Sequence, residues 1–442
     1  MLRQLRLWRQ RFWRQERAEQ TAGNTMQSYD VIVVGAGASG MMAAISAART
    51  GARTALLEHM PEAGRKLLST GNGKCNFTNQ VQGVQYYRGG DPAFVLPVFA
   101  QFGVTDTLNF FEEIGVWWKE KRGGYIYPAN EQASTVRDCL LLELAHQKVE
   151  LFCGIGIRAI KKQKGTFFFD TKQGGFCAGC CVLATGGKAA KKTGSDGSGI
   201  PYVVGFCHPV SDFVPALVQL QGKQSFLKEL AGIRAEGTLS LYVDGTKTVS
   251  DTGEIQLTDF GVSGIPAFQV SRYALTALRE GKQVLAELDF VPQASDQELA
   301  GAFARQRKRA PRRQAADWVK GVVNSRLGPV LLRRAGIDPR HPLERLYEQQ
   351  QQRLFEELKR LRIPIIGSKS FDFAQACAGG VLTGEVSPDT MESRLVPGLY
   401  FAGELLDIDG MCGGYNLQWA WSSGWVAGLH SGRAGGKRRE SR

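Results

Sequence analysis

A glycine-rich turn at residues 35–40 has the residue types and the spacing to hold phosphate groups. Gly35, Gly37 and Gly40 follow a short apolar strand pattern and precede an alanine-rich helical pattern. In such a unit the glycines give a tight turn, close approach of the backbone to a pyrophosphate, and close packing of helix on strand. The N-terminus of the helix adds N–H groups and a positive dipole. The turn therefore predicts a dinucleotide site.

Glu58 supplies the acid that this kind of site needs. It ends the second predicted strand, residues 54–57, eighteen residues after Gly40. A carboxylate in this position accepts hydrogen bonds from both ribose hydroxyls and disfavours a 2′-phosphate. Turn and acid together predict a dinucleotide without a 2′-phosphate, but they do not distinguish NAD from FAD.

Further motifs separate these two cofactors. In the loop 64–76, Arg65 and Lys66 can reach phosphate or ribose, and the glycines let the backbone lie flat against a planar ring. A strand over 180–184 ends in the small-residue turn 185–187, and two more glycine turns follow more than 200 residues later, in FAGE and GGYNL. A long cofactor contacted by both ends of the chain requires this arrangement. We therefore predict FAD.

These motifs resemble those of the BaiN/YhiN-like FAD-dependent oxidoreductases, which are related more distantly to the fumarate reductase flavoproteins. The resemblance spans residues 27–430, and its pieces are DVIVVGAGASGMMAA, GRKLLSTGNGKCNFTN, LATGG, LTDFGVSGIP, ACAGGV and PGLYFAGELLDIDGMCGGYNLQWAWSSGWVAG. It implies an α/β fold in which a Rossmann-type FAD-binding domain is split by an inserted β-barrel-like domain and a helical domain. It also implies oxidoreductase chemistry at flavin N5.

Motifs and resemblance together give one set of expected FAD contacts, divided between the two parts of the FAD-binding domain. The set is Gly35, Ala36, Gly37, Ser39, Gly40, Glu58, Arg65, Lys66, Ser69, Gly71, Asn72, Gly73, Asn76, Ala184, Thr185, Gly186, Gly403, Glu404, Gly414, Tyr415, Asn416 and Leu417. Neither a catalytic acid or base nor a metal ligand is predicted. The helix after Gly414 is expected to direct its N-terminus at the flavin pyrimidine edge, where reduction places negative charge.

Changes in sequence character predict the domain boundaries. We expect a disordered basic extension, a first FAD segment, an inserted barrel-like and helical region, a second FAD segment and a basic tail, at 1–25, 26–195, 196–363, 364–432 and 433–442. The alternative for the extension is an amphipathic surface helix, because Leu, Trp and Phe interleave with Arg there. Since ligands favour interfaces between domains, the substrate pocket is expected between the FAD domain and the insert.

Composition argues against a membrane-spanning protein and against one stabilised by disulfides. No apolar run reaches the ~18 residues of a membrane-spanning helix, and nine scattered cysteines favour a reducing cytoplasm over a disulfide framework. The formal net charge of +13 raises the question of a nucleic-acid partner, but the sequence carries no signature of a nucleic-acid-binding module. We therefore expect a cytoplasmic enzyme with a small-molecule substrate, no nucleic-acid partner and no membrane span.

The predicted activity is hydride transfer at flavin N5. The sequence has no second GxGxxG after a strand, so NAD(P)H is expected only as a transient donor. The first candidate is reduction of an activated C=C bond, as in the oxo-bile-acid enones of BaiN-like members. The second is oxygen-dependent amine oxidation of the aminoacetone oxidase type. A non-catalytic accessory flavoprotein is the alternative class, and the arginine-rich N-terminus is its specific support.

Two cysteine motifs and two departures from the family affect the chemistry. Cys75 lies in the loop expected near the flavin ring; packing is the favoured role and a redox thiolate the alternative. The motif Cys177-Ala178-Gly179-Cys180 has no second pair to complete a zinc site, so we interpret it as structural. The family usually has His where Asp259 lies and Pro where Ile265 lies, which puts any proton-handling role of that His in doubt here.

Overall fold

The computed structural model describes residues 26–440, with side chains described as far as Gly436. Both predictions for residues 1–25, the disordered extension and the amphipathic helix, lie outside the described residues. The strands are β1 (Gln27–Val34), β2 (Thr54–Leu57), β3 (Thr78–Asn79), β4 (Tyr87–Gly89), β5 (Trp118–Lys121), β6 (Tyr125–Pro128), β7 (Glu150–Phe152), β8 (Ile157–Gln163), β9 (Thr166–Thr171), β10 (Gly174–Leu183), β11 (Val210–Ala216), β12 (Leu220–Gly222), β13 (Arg234–Val243), β14 (Thr246–Thr258), β15 (Gly261–Gly264), β16 (Val284–Asp289), β17 (Leu361–Ser368), β18 (Ala376–Val381), β19 (Leu399–Phe401) and β20 (Ile408–Gly410).

The helices alternate with these strands in the first part of the chain and cluster in the middle. They are α1 (Ala38–Arg49), α2 (Val95–Gln101), α3 (Val104–Glu113), α4 (Ala133–His146), α5 (Ile200–Gly205), α6 (Leu227–Leu230), α7 (Ile265–Arg279), α8 (Asp296–Arg309), α9 (Ala315–Val319), α10 (Leu327–Arg334), α11 (Glu348–Lys359) and α12 (Tyr415–Glu440).

A seven-stranded sheet forms the FAD-binding domain. Its order is β7-β2-β1-β10-β9-β8, with β19 paired to β10. Strands β7, β2, β1, β10 and β19 are parallel, and β9 and β8 are antiparallel. Both faces of the parallel part are covered, which is why Ile32 and Val33 are both fully buried. Because β19 comes from the end of the chain, two distant segments complete one sheet, as the split Rossmann-type domain predicts.

The middle of the chain folds into a closed six-stranded barrel. Its order is β12-β15-β14-β13-β16-β17, and its core includes Leu239, Leu241 and Ile255. Helices α8 to α11 lie between β16 and β17 in sequence, and the antiparallel pair β11–β18 joins the barrel to the FAD-binding domain. The predicted inserted barrel and helical region are confirmed. The domain boundaries stay a prediction; the barrel strands run from Leu220 to Ser368.

Within residues 26–440, no single helix combines the length and apolar composition of a membrane span. The helical segments Pro92–Gln101 and Val104–Glu113 meet that test only together, and they are bent by 48° at their junction. The cytoplasmic location stays a prediction.

Helices α1 and α12 pack with their backbones in direct contact. A Cβ atom on Gly424 would lie 2.3 Å from Ser39 O, and one on Gly428 would lie 2.2 Å from Ala43 O. Both distances are far inside van der Waals contact, so only glycine fits at these two turns of α12. The contact advances four residues along both helices, so they run parallel, and the nine residues of α12 before Gly424 extend beyond the start of α1.

Substitution Gly428→Ala is expected to destabilise the protein by about 1–3 kcal/mol, because the added methyl group forces the two helices apart. The matched control is Gly436→Ala in the same helix, where a Cβ atom meets no atom of the described residues within 4 Å. That change should be neutral or stabilise by up to about 1 kcal/mol, since alanine favours the helix. Urea unfolding of both variants measures the difference; equal effects would rule out the close packing.

Candidate cofactor site

A cavity of about 330 Å³ lies where β1, β2 and β10 end. Parallel strands place their carboxyl ends on one edge of the sheet, and ligands of open α/β sheets bind at that edge. The walls come from the turn after β1, the end of β2, the turn after β10, and the first residues of α1 and α12. Segments from both ends of the chain therefore face one space.

The structure places thirteen of the predicted contacts on the cavity wall. They are Gly35, Ala36, Gly37, Ser39, Glu58, Arg65, Lys66, Ala184, Thr185, Gly186, Glu404, Asn416 and Leu417. Nine lie off the wall, either behind it or on the adjoining loop: Gly40, Ser69, Gly71, Asn72, Gly73, Asn76, Gly403, Gly414 and Tyr415. For both groups, contact with FAD stays a prediction.

Gly40 and Gly403, two of the nine, permit close packing. A Cβ atom on Gly40 would lie 1.8 Å from Gly35 O, which is the helix–strand contact expected of the third glycine. A Cβ atom on Gly403 would lie 2.4 Å from Ser39 Oγ. These two glycines therefore do not line the cavity themselves but pack against Gly35 and Ser39, which do.

Asn76 and Gly414 connect the GNGKCN loop to the GGYN turn. With its amide nitrogen donating to the carbonyl oxygens of Ile126 and Thr78, each at 3.0 Å, Asn76 accepts a hydrogen bond from Gly414 N at 3.3 Å. The two motifs are more than 330 residues apart in sequence. Ser69 and the run 71–73 are exposed on the same loop.

Glu58 ties the end of β2 to the glycine turn. Its Oε2 accepts from Ala36 N at 2.7 Å, and its Oε1 accepts from Met60 N at 2.8 Å. The side chain is buried, but each carboxylate oxygen has a second lone pair. Glu58 can therefore hold the turn and still accept hydrogen bonds from ribose hydroxyls.

Two helix N-termini point their N–H groups at the cavity. The first intrahelical hydrogen bond of α1 is Met41 N to Gly37 O at 3.0 Å, and that of α12 is Gln418 N to Gly414 O at 2.9 Å. The N–H groups ahead of these bonds, including those of Asn416 and Leu417, have no acceptor within their own helix. Neither helix has an acidic residue in its first turn. Both ends favour negative charge.

The wall also contains hydroxyl groups that need a partner. Among the described residues, Thr185 Oγ1 and Ser195 Oγ are buried and make no hydrogen bond, and both residues line the cavity. An unpaired buried hydroxyl costs about 1–3 kcal/mol, so a polar ligand that pairs it binds more tightly. Glycine turns, ribose acceptor, anion-binding helix ends and unpaired hydroxyls together fit FAD.

Lys66 is held by a carboxylate from the last motif. Its Nζ lies 2.7 Å from Glu404 Oε2, and Glu404 Oε1 accepts from Cys377 N at 2.8 Å. Lys66 and Glu404 are both mostly buried. The ion pair joins two wall segments 338 residues apart. If Lys66 contacts a phosphate, as predicted, its ammonium group would bind the phosphate and Glu404 at the same time.

The cavity wall includes residues outside the predicted set. They are Val34, Ala38, Leu57, His59, Glu62, Gly64, Leu67, Thr70, Ile155, Gly156, Ile157, Thr193, Gly194, Ser195, Asp196, Ser198, Tyr202, Gln375 and Ala420. One signal was available in the sequence: the run TGSDGSG at 193–199 has the small polar residues of a ligand-binding turn. The side chains of Ile157 and Tyr202 depend on tertiary packing and leave no local signal.

Cys75 is a packing residue in this structure. Its side chain is fully buried, it lies off the cavity wall, and burial raises the pKa of its thiol to about 12. It therefore stays protonated at neutral pH, which argues against a thiolate beside the cofactor. Cys180 and Cys181 are buried in β10, and no metal-ligating group of side chains occurs within the described residues.

A polar seam joins the FAD-binding domain to the barrel side of the molecule. Arg272 of α7 lies 3.3 Å from Asp409 Oδ1 of β20, and Arg88 of β4 donates to Tyr273 OH at 2.6 Å. Asp409 is buried. Burial raises the pKa of its carboxyl to about 7, against the opposing effect of Arg272 and with a further increase from Asp407. The ion pair across the seam is therefore sensitive to pH near neutrality.

A model of the HI0933-like protein Rossmann domain matches residues 29–430 of this chain. The chain belongs to the HI0933-like family. The family resemblance seen in the sequence is thereby confirmed, and the protein is an FAD-dependent oxidoreductase.

Two relatives align over nearly the whole HI0933-like chain. The 3-dehydro-bile acid delta(4,6)-reductase of Clostridium scindens is 42% identical over 90% of this chain and 97% of that protein. The ribosomal RNA dihydrouridine synthase of Escherichia coli is 31% identical over 91% of this chain and 97% of that protein. Among solved structures, a flavocytochrome c3 fumarate reductase aligns over 93% of this chain and 79% of its own, at 15% identity and a TM-score of 0.49.

Substitution Thr185→Val is expected to weaken FAD binding about tenfold, the value of one hydrogen bond of ~1.4 kcal/mol. It should leave the FAD-free protein at least as stable as the unmodified one, because it removes an unpaired hydroxyl. The matched control is Thr171→Val, which lies off the cavity wall and whose hydroxyl donates to Gly174 O at 2.6 Å. The control should lose stability and keep its FAD affinity. Flavin fluorescence titration and thermal unfolding test both; the same pattern in both variants would contradict the assignment.

Substitution Asp409→Asn is expected to change how stability depends on pH. The folded carboxyl has a pKa of about 7 against an ordinary 3.8, so its contribution to stability is present below about pH 4 and is lost as the pH rises to about 7. The variant lacks this loss. Its melting temperature relative to the unmodified protein should therefore rise between about pH 5 and pH 8; a constant difference would show that Asp409 does not titrate there.

Proposed function

We propose that this chain reduces a C=C bond conjugated to a carbonyl group, with NAD(P)H as the transient electron donor. The alignment with the bile-acid delta(4,6)-reductase, 42% identical over 90% of the chain, is the observation that carries this proposal. A 3-oxo steroid with an adjacent double bond is an enone, so its β-carbon accepts hydride and its α-carbon then takes a proton. An oxo-bile-acid or steroid enone is the first candidate substrate.

The chain's own residues position the reaction. FAD, when bound, would supply the hydride at N5. Glu58 would accept hydrogen bonds from the ribose, and the N–H groups at the start of α1 would hold the pyrophosphate. The N–H groups of Asn416 and Leu417 would stabilise negative charge at the pyrimidine edge. Asn416 is itself fixed, because its side chain accepts from Gly410 N at 2.8 Å and donates to Gly410 O at 2.7 Å.

A nicotinamide donor would have to visit this site and leave. The sequence has one GxGxxG turn, and that turn and Glu58 both belong to the proposed FAD site. Glu58 also disfavours a 2′-phosphate there. The donor would therefore approach the cofactor from the seam between the two domains, where ligands commonly bind. The same opening would then admit the substrate, so donor and acceptor would compete for it.

A uracil base in RNA is the second candidate substrate. The C5=C6 bond of uracil is conjugated to its C4 carbonyl, so making dihydrouridine is the same class of reaction as enone reduction. The rRNA dihydrouridine synthase of Escherichia coli aligns over 97% of its length, and the net charge of +13 suits a polyanionic partner. This candidate would give the protein a nucleic-acid partner. None was expected from the sequence, because the chain carries no signature of a nucleic-acid-binding module.

Anaerobic flavin reduction followed by re-oxidation tests the proposal. We expect NADH or NADPH to bleach the flavin absorbance, and a 3-oxo-Δ4 steroid or a uridine-containing RNA to restore it with one equivalent of saturated product. Re-oxidation only by oxygen, together with flavin reduction by an amine, would support the amine oxidase alternative. Absence of reduction by any donor would support the accessory flavoprotein.

A further inference from the structure

The hairpin β5–β6 carries alternating basic and aromatic residues on one face. Lys119 pairs in register with Tyr127, and Lys121 pairs with Tyr125. The ladder continues beyond the hairpin strands, because Ala129 N donates to Trp117 O at 2.7 Å. Since side chains alternate along a strand, Trp117 lies on the same face as both lysines.

This face has an excess of positive charge. Glu131 is bound by three lysines at once: Lys74 at 3.0 Å, and Lys119 and Lys121 at 2.8 Å each. These three ammonium groups hold the pKa of the Glu131 carboxyl far below its usual range. In the ion pairs of the described residues, one carboxylate is shared by three cations, so the cluster keeps a net positive charge within reach of solvent.

An unburied indole adjoins the lysines. Trp117 is 80% exposed, more than any other large hydrophobic residue described. Removing the apolar surface of an indole ring from water is favourable. A partner that covers the Trp117 ring therefore gains binding energy. Beside it, Lys121 Nζ lies 4.6 Å from the centre of the Tyr127 ring.

The same face leads to the cofactor site. A Cβ atom on Gly71 would lie 3.6 Å from Tyr127 Cε1, and one on Gly413 would lie 2.7 Å from Tyr125 Cε1. Gly71 opens the GNGKCN run, and Gly413 precedes α12, whose first residues line the cavity. A ligand lying along the face from Trp117 would therefore end beside the two motifs that Asn76 and Gly414 join, next to Thr70 and Asn416 on the cavity wall.

We propose that this hairpin face, consisting of Trp117, Lys119, Lys121, Lys74 and Tyr127, binds a single-stranded segment of RNA. The lysines bind phosphates, displacing Glu131, and the indole stacks on an unpaired base. Lysines that track a backbone and aromatic rings that stack on bases are the two components of single-strand recognition. The inference rests on the proposed function in one respect: the strand presents the uracil whose C5=C6 bond is reduced.

Fluorescence anisotropy with a labelled oligouridine of about 12 nucleotides tests the face on the flavin-loaded protein. Trp117→Ala should weaken binding about tenfold, the effect of losing one stacked base, and Trp117→Phe should restore most of it. The double variant Lys119→Gln/Lys121→Gln should lower the slope of log affinity against log salt by about 1.4, at about 0.7 for each phosphate contact. Matched controls are Tyr347→Ala, at a tyrosine that is 77% exposed, and Lys161→Gln/Lys228→Gln, at two exposed lysines elsewhere.

Glu131→Gln separates binding from structural support. It removes the acid that competes with phosphate, so RNA affinity should increase several-fold, and the salt slope should become steeper. If Glu131 only held the hairpin together, the same change would weaken binding. Thermal unfolding of each variant shows that the fold is kept.

Three results would overturn the inference. They are unchanged affinity in the hairpin variants, equal losses in the matched controls, and binding of anionic lipid vesicles in place of RNA through the same residues. The anisotropy measurement needs no turnover. Binding without uridine reduction would therefore contradict the RNA candidate of the proposed function and leave the hairpin face standing. Reduction of a free enone without RNA binding would contradict the hairpin face and the RNA candidate and leave the enone candidate standing.

Discussion

The backbone contact between α1 and α12 is the constraint on which the site depends. Gly424 and Gly428 let α12 lie against Ser39 and Ala43 with no side chain between the helices. That contact places two helix N-termini, from opposite ends of the chain, on one cavity. Each attracts negative charge, one suited to the phosphates and the other to the pyrimidine edge of a reduced flavin. The sheet reinforces the arrangement, because β19 adds to β10 in parallel.

Local motifs made much of the fold and site predictable. The glycine turn and Glu58 act through their own backbone and their immediate neighbours, so their spacing was sufficient. The inserted barrel followed from a family resemblance, since no short pattern specifies a closed six-stranded sheet. Ser195 and the Lys66–Glu404 pair were missed because burial and pairing over 338 residues arise only when the chain folds. The alternation of Trp117 with lysines can be read from the sequence, but the exposure of the Trp117 side chain can be seen only in the folded structure.

The two candidate substrates share one chemical requirement and differ in how they are delivered. Both an enone and a uracil ring offer a C=C bond conjugated to a carbonyl, so the same flavin geometry would serve either. A steroid would enter through the seam held by Arg272 and Asp409, and an RNA strand would approach along the hairpin face. If these proposals hold, specificity would lie outside the cofactor cavity, in surfaces that the glycine motifs do not specify.

Hydrogen exchange of the FAD-free protein, with and without added ligand, tests most directly whether one FAD molecule is held by both ends of the chain. FAD should protect the amides of residues 36–40 and of residues 416–418 together, with the same half-saturating concentration. ADP, which lacks the flavin, should protect only the first segment. Protection of 36–40 alone by FAD, or saturation of the two segments at different concentrations, would contradict the account.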